Sequence, residues 1–415
     1  MDFFEFLDFS VTPYHTVDFL RREFAQSGFK PVELDGAGSL VPGGAYFVER
    51  GGALIAFRMP KTASAGSRFR ISMAHTDFPA LKVSPNPDKS GAGVATLHTE
   101  VYGSPLYTSW LDRDLGFAGM LACKKDGALV TKLVRGDKLF RVPQLAIHLN
   151  RGVNQDGLKV NPQVDLDALW NGEDSAKFVQ MLQSQLGAGE TLLDFDVQLF
   201  DAQGANKGGM NDEWIYSGRL DNLSSCHAVA SALLETESCE TDFAVAAFFN
   251  NEEVGSTTRE GASGNFLKSV LQQMWCASKL PLESLDGALS KSFALSIDMA
   301  HAEHPSHPEK HEQNHAPVLG GGIVLKSNSQ KRYASDLMSS ARFRLLCEQS
   351  NVPMQVFINR NDMSCGSTVG PDVSASLGIP TVDIGEPMLS MHSIREMTAA
   401  KDHESMIRLA KAFFA

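Results

Sequence analysis

From about residue 212 to its last helix the chain alternates between helix-period and strand-like segments, and this rhythm limits the fold more than any other feature. Helical spacing over 223–235 leads to an unbroken apolar run over 243–249, and a helix over 266–275 leads to a strand over 292–297. A helix over 335–348 precedes a strand over 354–358, a short helix over 373–377 precedes a strand over 380–384, and a last helix covers 398–414. Strands that alternate with helices imply a layered αβα domain on a mixed, largely parallel sheet. The N-terminal part fits the same domain. Val17, Leu20 and Phe24 mark a helix over 14–27 behind Pro13. Residues 45–48 and 53–57 read as a hairpin across Gly51-Gly52, and a strand over 68–74 delivers His75.

Between about 88 and 210 the rhythm breaks. Strand-like segments at 95–101 and 129–134 are followed by an aperiodic, loop-rich stretch from 150 to 172. This reads as a β-rich domain of residues 88–210, inserted into a discontinuous α/β domain of residues 1–87 and 211–415. It looks too loop-rich to bury a strong core of its own. No repeat of 20 to 50 residues is visible.

Composition narrows the function. The chain has 415 residues, 43% hydrophobic and 21% charged, as expected of a globular protein with two or three domains. Its net charge of −12 argues against a nucleic-acid surface or a polybasic membrane anchor. Met1-Asp2-Phe3-Phe4-Glu5-Phe6 is no signal peptide, and no apolar run approaches bilayer length. The six cysteines are scattered without a Cys-x-x-Cys pair, which points to a reduced, cytoplasmic protein.

The apolar run over 243–249 ends beside two adjacent carboxylates, Glu252 and Glu253, before Gly255-Ser256 turns the backbone away. Paired carboxylates at the end of a buried strand are costly unless engaged. One of them can bind a metal while its neighbour accepts a proton from water. Sites in α/β sheets form beyond the carboxyl ends of the strands. Polar residues there include His75-Thr76-Asp77, Asp221 ahead of a helix, the Glu pair, Asp298, and His392. Taken singly, each has a plainer reading, Asp221 for example as a helix N-cap. Together, two histidines and three carboxylates suit two zinc-type ions if one carboxylate bridges. Asp77 is placed to accept the second N–H of His75 and fix its tautomer.

At this point the chain resembles the aspartyl aminopeptidases, di-zinc metallopeptidases. The resemblance rests on Ala74-His75-Thr76-Asp77, Gly218-Arg219-Leu220-Asp221-Asn222-Leu223 and Asn251-Glu252-Glu253-Val254-Gly255-Ser256. It continues in the segments from Asp298 to Pro305, Cys365 to Pro371 and Leu389 to Glu396. It implies that His75 and Asp298 hold one ion, that Glu253 and His392 hold the other, and that Asp221 bridges. Glu252 is then the general base, and Asp77 orients His75. Zinc is the implied metal, with Co2+ or Mn2+ as substitutes. Lys326, ending an apolar strand ahead of Tyr333, is implied to meet an acidic substrate side chain. His148 is read from sequence alone as a half-buried strand histidine, but the resemblance implies that it reaches a neighbouring subunit's site. His301, His304, His307, His311 and His315 are read as contacts in a loop near the site rather than as a metal-binding tract. Asn250, Ser306-His307 and Met388 depart from the family pattern, and none is an implied ligand.

The expectation is a cytoplasmic di-zinc aminopeptidase that removes acidic residues from peptides with a free N-terminus. It would assemble through the inserted domain into dimers and a tetrahedral dodecamer, with no nucleic-acid or membrane partner. The alternatives are a di-metal deacylase or carboxypeptidase of the same clan, or a catalytically silent peptide-binding assembly.

Overall fold

The computed structural model describes residues 1–34, 40–173 and 175–415. The chain forms two compact units. The first comprises Met1–Asp77, Ala205–Met391 and Glu396–Ala415, and the second comprises Phe78–Gly204 with His392–Arg395. The inserted unit therefore begins at Phe78 rather than at residue 88 and ends at Gly204 rather than at residue 210. It also takes in His392–Arg395, a return that no local pattern foretells.

The first unit is built on a nine-stranded mixed sheet. Four strands at its centre run parallel: Phe243–Phe249, Phe69–His75, Phe293–Ile297 and Thr381–Gly385. Every residue of Phe243–Phe249 is buried, as the apolar run requires of a strand covered on both faces. The expected hairpin forms the antiparallel pair Ala45–Arg50 and Ala53–Arg58, and the latter strand joins Phe243–Phe249. On the other side, Ile323–Ser327 runs antiparallel to Thr381–Gly385 and parallel to Met354–Ile358. Helices Pro13–Gln26, Leu220–Glu235, Phe266–Ala277, Leu337–Ser350, Val369–Leu377 and Ala400–Phe414 complete the layers. Part of the core centres on Phe69, Phe243 and Trp275, with the two phenyl rings stacked at 4.6 Å. A short N-terminal helix, Phe3–Phe9, went unread because its acids masked its apolar face.

The second unit is a six-stranded antiparallel sheet. It has a core of its own, which corrects the expectation of a loop-rich insertion. Phe117, Phe140 and Phe178 pack edge to face, with Leu121, Leu182 and Leu199 in the same cluster. The strands Leu115–Lys125, Ala128–Phe140 and Glu190–Asp201 are long, and their half-polar alternation hid their length. Residues 143–149 are not a strand. Ile147 to Leu149 form a turn closed by a Leu149 N–H to Ala146 carbonyl bond of 2.8 Å, and His148 is exposed rather than half-buried. Among the described residues, no helix is long and apolar enough to cross a membrane.

Candidate metal centre

Parallel pairing puts the carboxyl ends of three neighbouring strands side by side. Phe249 is in register with His75, and Ser296 with Met73, so the residues just beyond these ends meet. Glu252 and Glu253 sit on a single turn of 3-10 helix entered through Asn251 in the left-handed region. That turn is left through Gly255 at φ +95°, where glycine relieves the strain a Cβ would bring. Asp298 follows Ile297 directly. Gly385 is what lets this strand end pack, since a Cβ there would stand 1.8 Å from the Asp298 carbonyl oxygen. Asp221 lies where the backbone departs from helical geometry at the start of Leu220–Glu235.

Ligand-type atoms of His75, Asp221 and Glu253 all lie within 4.8 Å of one another. The His75 Nε2 is 3.5 Å from Asp221 Oδ1 and 3.5 Å from Asp298 Oδ1. The other ring nitrogen, Nδ1, is 2.9 Å from the main-chain oxygen of Asp77 and 3.4 Å from its carboxylate. His75 is thus held mainly by the Asp77 carbonyl. The Asp77 carboxylate instead accepts the backbone N–H groups of Glu252 at 3.0 Å and Glu253 at 3.1 Å. Asp77 therefore fixes the Glu pair as well as the imidazole.

The electrostatics are those of a cation site. Burial alone would lower the His75 pKa, but the neighbouring carboxylates of Asp221, Asp298 and Asp77 hold it well above its ordinary value. Burial pushes the Glu252 carboxyl up to about 8, with His75 opposing and Asp298, Asp77 and Asp221 adding to the rise. Asp298 Oδ1 is buried without a hydrogen-bond donor among the described residues. Carboxylates crowded around one imidazole are stable only if positive charge is supplied. The nitrogen and oxygen donors fit zinc, so the residues present suit the metal expected of them.

The remaining expected residues fall as follows. Lys326 is 3% exposed, and its Nζ lies 3.3 Å from Asp298 Oδ2 and 5.6 Å from the Tyr333 ring centre. Its partner in the structure is therefore the candidate ligand Asp298. Tyr333 is buried, and burial raises its pKa. His392 belongs to the second unit, where its Nδ1 is 3.1 Å from the Ser104 carbonyl oxygen. His148 is also in the second unit. In the histidine-rich loop, His315 contacts Glu312, and His304 and His307 lie 5.1 Å apart. No three of these histidines form a ligand group among the described residues. Two positioning residues escaped the sequence reading. Glu396 accepts the Asp221 N–H at 3.1 Å, and the Asn222 side chain donates to the Ile297 carbonyl at 2.9 Å, beside Asp298. Both lie inside the quoted motifs, but nothing local separates a positioning carboxylate or amide from a surface one.

An acidic cluster around a histidine at the carboxyl ends of a mixed sheet defines the class as an α/β metallohydrolase. The comparisons narrow it. The model of the aminopeptidase I zinc metalloprotease family (M18) matches residues 6–414, and the chain belongs to that family. It is an aminopeptidase of the zinc metalloprotease type. A relative named "Probable M18 family aminopeptidase 2", from Pseudomonas aeruginosa strain UCBPP-PA14, is 40% identical over 423 residues, spanning 99% of this chain and 96% of its own. Among solved structures, a chain of the Ape4 and Nbr1 complex superimposes with a TM-score of 0.94 at 33% identity, covering 100% of this chain and 84% of that one. A chain of the S. cerevisiae mApe1 dodecamer superimposes with a TM-score of 0.87 at 28% identity, covering 99% and 95%.

Proposed function

We propose that this aminopeptidase uses two divalent ions to remove acidic residues from peptides with a free N-terminus. The observation that carries this reading is the convergence of His75, Asp221 and Glu253 beside Glu252 and Asp298 at the carboxyl ends of the central strands. His75 and Asp298 would hold one ion, Glu253 and His392 the second, and Asp221 both. When bound, zinc supplies Lewis acidity toward the scissile carbonyl and toward water. Glu252 takes the proton of the attacking water and returns it to the leaving amine. Asp77 keeps Glu252 in place through its backbone N–H. Lys326 is the buried cation nearest these groups, and a substrate Asp or Glu would offer it a second carboxylate beside Asp298.

The chain works as a closed homo-oligomer, a tetrahedral dodecamer built from six dimers. In support, His148 is flanked by Leu145 and Leu149, which are 67% and 75% exposed, an apolar edge of the kind that subunits cover. The matching mApe1 chain is itself part of a dodecamer. Closed symmetry buries such an edge without leaving another open. The six free cysteines accord with a cytoplasmic setting.

The test is elemental analysis of purified protein together with a peptide panel. Two metal equivalents per chain are expected, with faster cleavage of Asp- and Glu-led peptides than of Leu-led ones and none when the amine is acetylated. Cleavage of acetylated peptides, or a preference for Leu, would overturn the reading.

A further inference from the structure

A second pocket lies at the opposite ends of the strands that carry the metal centre. A cavity of about 370 Å³ opens at the amino ends of Phe69–His75 and Phe293–Ile297, between helix Leu337–Ser350 and the end of helix Ala400–Phe414. Six steps of about 3.3 Å from Phe69 to His75 place it about 20 Å from His75 along the strand. It is therefore separate from the site described above.

Its charge is unusual for this protein. The chain carries a net −12, yet four cations, Arg68, Arg70, Lys291 and Arg342, line this one cavity. The single acid among them is Asp242, already shared by Arg68 at 3.1 Å and Arg70 at 3.3 Å. Among the described residues, neither Lys291 nor Arg342 has a carboxylate within ion-pair distance. Like charges gathered in a concave wall repel one another and raise the local concentration of anions. Arg70 is further fixed by donating to the Phe413 carbonyl at 3.2 Å, so part of the cationic wall is already ordered.

The other wall is apolar. Phe293 lies under the Arg342 guanidinium at 5.5 Å, and Leu345, 53% exposed, borders the same space. A flat ring packed against Phe293 and Leu345 would gain aromatic and apolar contact while its anionic group meets Arg342. The volume falls in the range of small-molecule sites, about 300–1,000 Å³. A bare inorganic anion would leave the apolar wall unused.

We infer that this cavity binds a small organic anion, a phosphate or carboxylate on an aromatic or apolar body, with Lys291 and Arg342 meeting the anionic group and Phe293 and Leu345 the body. The site rests on charge and shape, not on the proposed substrate preference.

The test is isothermal titration of the zinc-loaded, assembled protein with phenyl phosphate, and with inorganic phosphate and benzoate in separate arms. The same titrations are made on a Lys291→Glu/Arg342→Glu double variant, with Lys291→Gln/Arg342→Gln as the milder form. Both residues are exposed, so the variants should melt like the wild type and hydrolyse peptides at the same rate. The wild type should bind one more equivalent of phenyl phosphate per chain than the double variant, at least tenfold more tightly than inorganic phosphate. Benzoate binding as tightly as phenyl phosphate would assign the site to carboxylates, and weaker benzoate binding would assign it to phosphates. Equal stoichiometry and affinity in wild type and variants would place all binding elsewhere, the metal centre included, and overturn the inference.

Discussion

The Asp77 carboxylate accepts the main-chain N–H of Glu252 at 3.0 Å, tying the end of one central strand to the turn beyond its neighbour. Its second oxygen accepts the N–H of Glu253 at 3.1 Å, and the side chain is fully buried. Hydrogen bonds to a charged group contribute about 1.5–3 kcal/mol each. Asp77→Asn preserves volume but turns an NH2 toward one of the two donors. It should lose roughly 2–4 kcal/mol of unfolding free energy and lower kcat far more than it raises KM, because Glu252 shifts. Denaturant titration with steady-state kinetics measures both, and a variant with wild-type kcat would show that the clamp does not set the position of Glu252.

Glu252→Gln tests the proton-transfer role directly. The substitution keeps the hydrogen bond to Asp77, which runs through the backbone, and leaves His75, Asp221 and Glu253 in place. Metal content and melting temperature should therefore hold, while turnover falls at least about a hundredfold. Asp221→Asn should lose metal instead. Near-normal turnover in the Gln variant would remove Glu252 from the mechanism.

Much of this centre was legible in the sequence because strand ends are. An apolar run that stops at a polar residue marks where a parallel strand leaves the sheet, and His75, the Glu pair and Asp298 each sit at such a stop. What stayed hidden depends on non-local geometry. That Asp77 clamps amides 175 and 176 positions away needs the parallel register of two strands. That Lys326 meets Asp298 needs the order of strands across the sheet. The core of the inserted unit was missed for a related reason. Antiparallel strands with one polar face dilute their apolar signal, so nothing local to Phe117 shows that it packs 5.5 Å from Phe178, at the start of helix Phe178–Ser184.

Asp402 gives a pH dependence away from the metal centre. Burial raises its pKa from an ordinary 3.8 to about 6, only partly offset by backbone N–H donors from Gly320 at 2.5 Å and Gly322 at 2.9 Å. A carboxyl whose folded pKa is raised favours the folded state while protonated. That contribution is complete below about pH 4 and is lost as pH rises through 6. At about 1.4 kcal/mol per unit the change is on the order of 3 kcal/mol. Asp402→Asn cannot titrate. The stability of wild type minus that of the variant should therefore fall by that amount between pH 4 and 7.5, in urea titrations at several pH values. A difference that stays flat with pH would mean that burial does not shift this group.

Lys326 separates selectivity from support. Its ammonium touches Asp298 and lies over Tyr333, so it could act on the substrate, on the candidate ligand, or on both. If it meets an acidic substrate side chain, Lys326→Ala should cost Asp- and Glu-led peptides about 1.5–3 kcal/mol in kcat/KM, with little change for Leu-led ones. If its main partner is Asp298, both classes should lose equally, and bound metal should change as the Asp298 carboxylate is freed. Lys326→Arg keeps the charge but not the compact ammonium, so it should restore the Asp298 contact better than a substrate contact shaped for Lys. Ratios of kcat/KM for matched Asp- and Leu-led peptides, with metal content for each variant, decide between the two. A common loss on both classes would remove Lys326 from the specificity pocket and leave it as the residue that holds Asp298 in place.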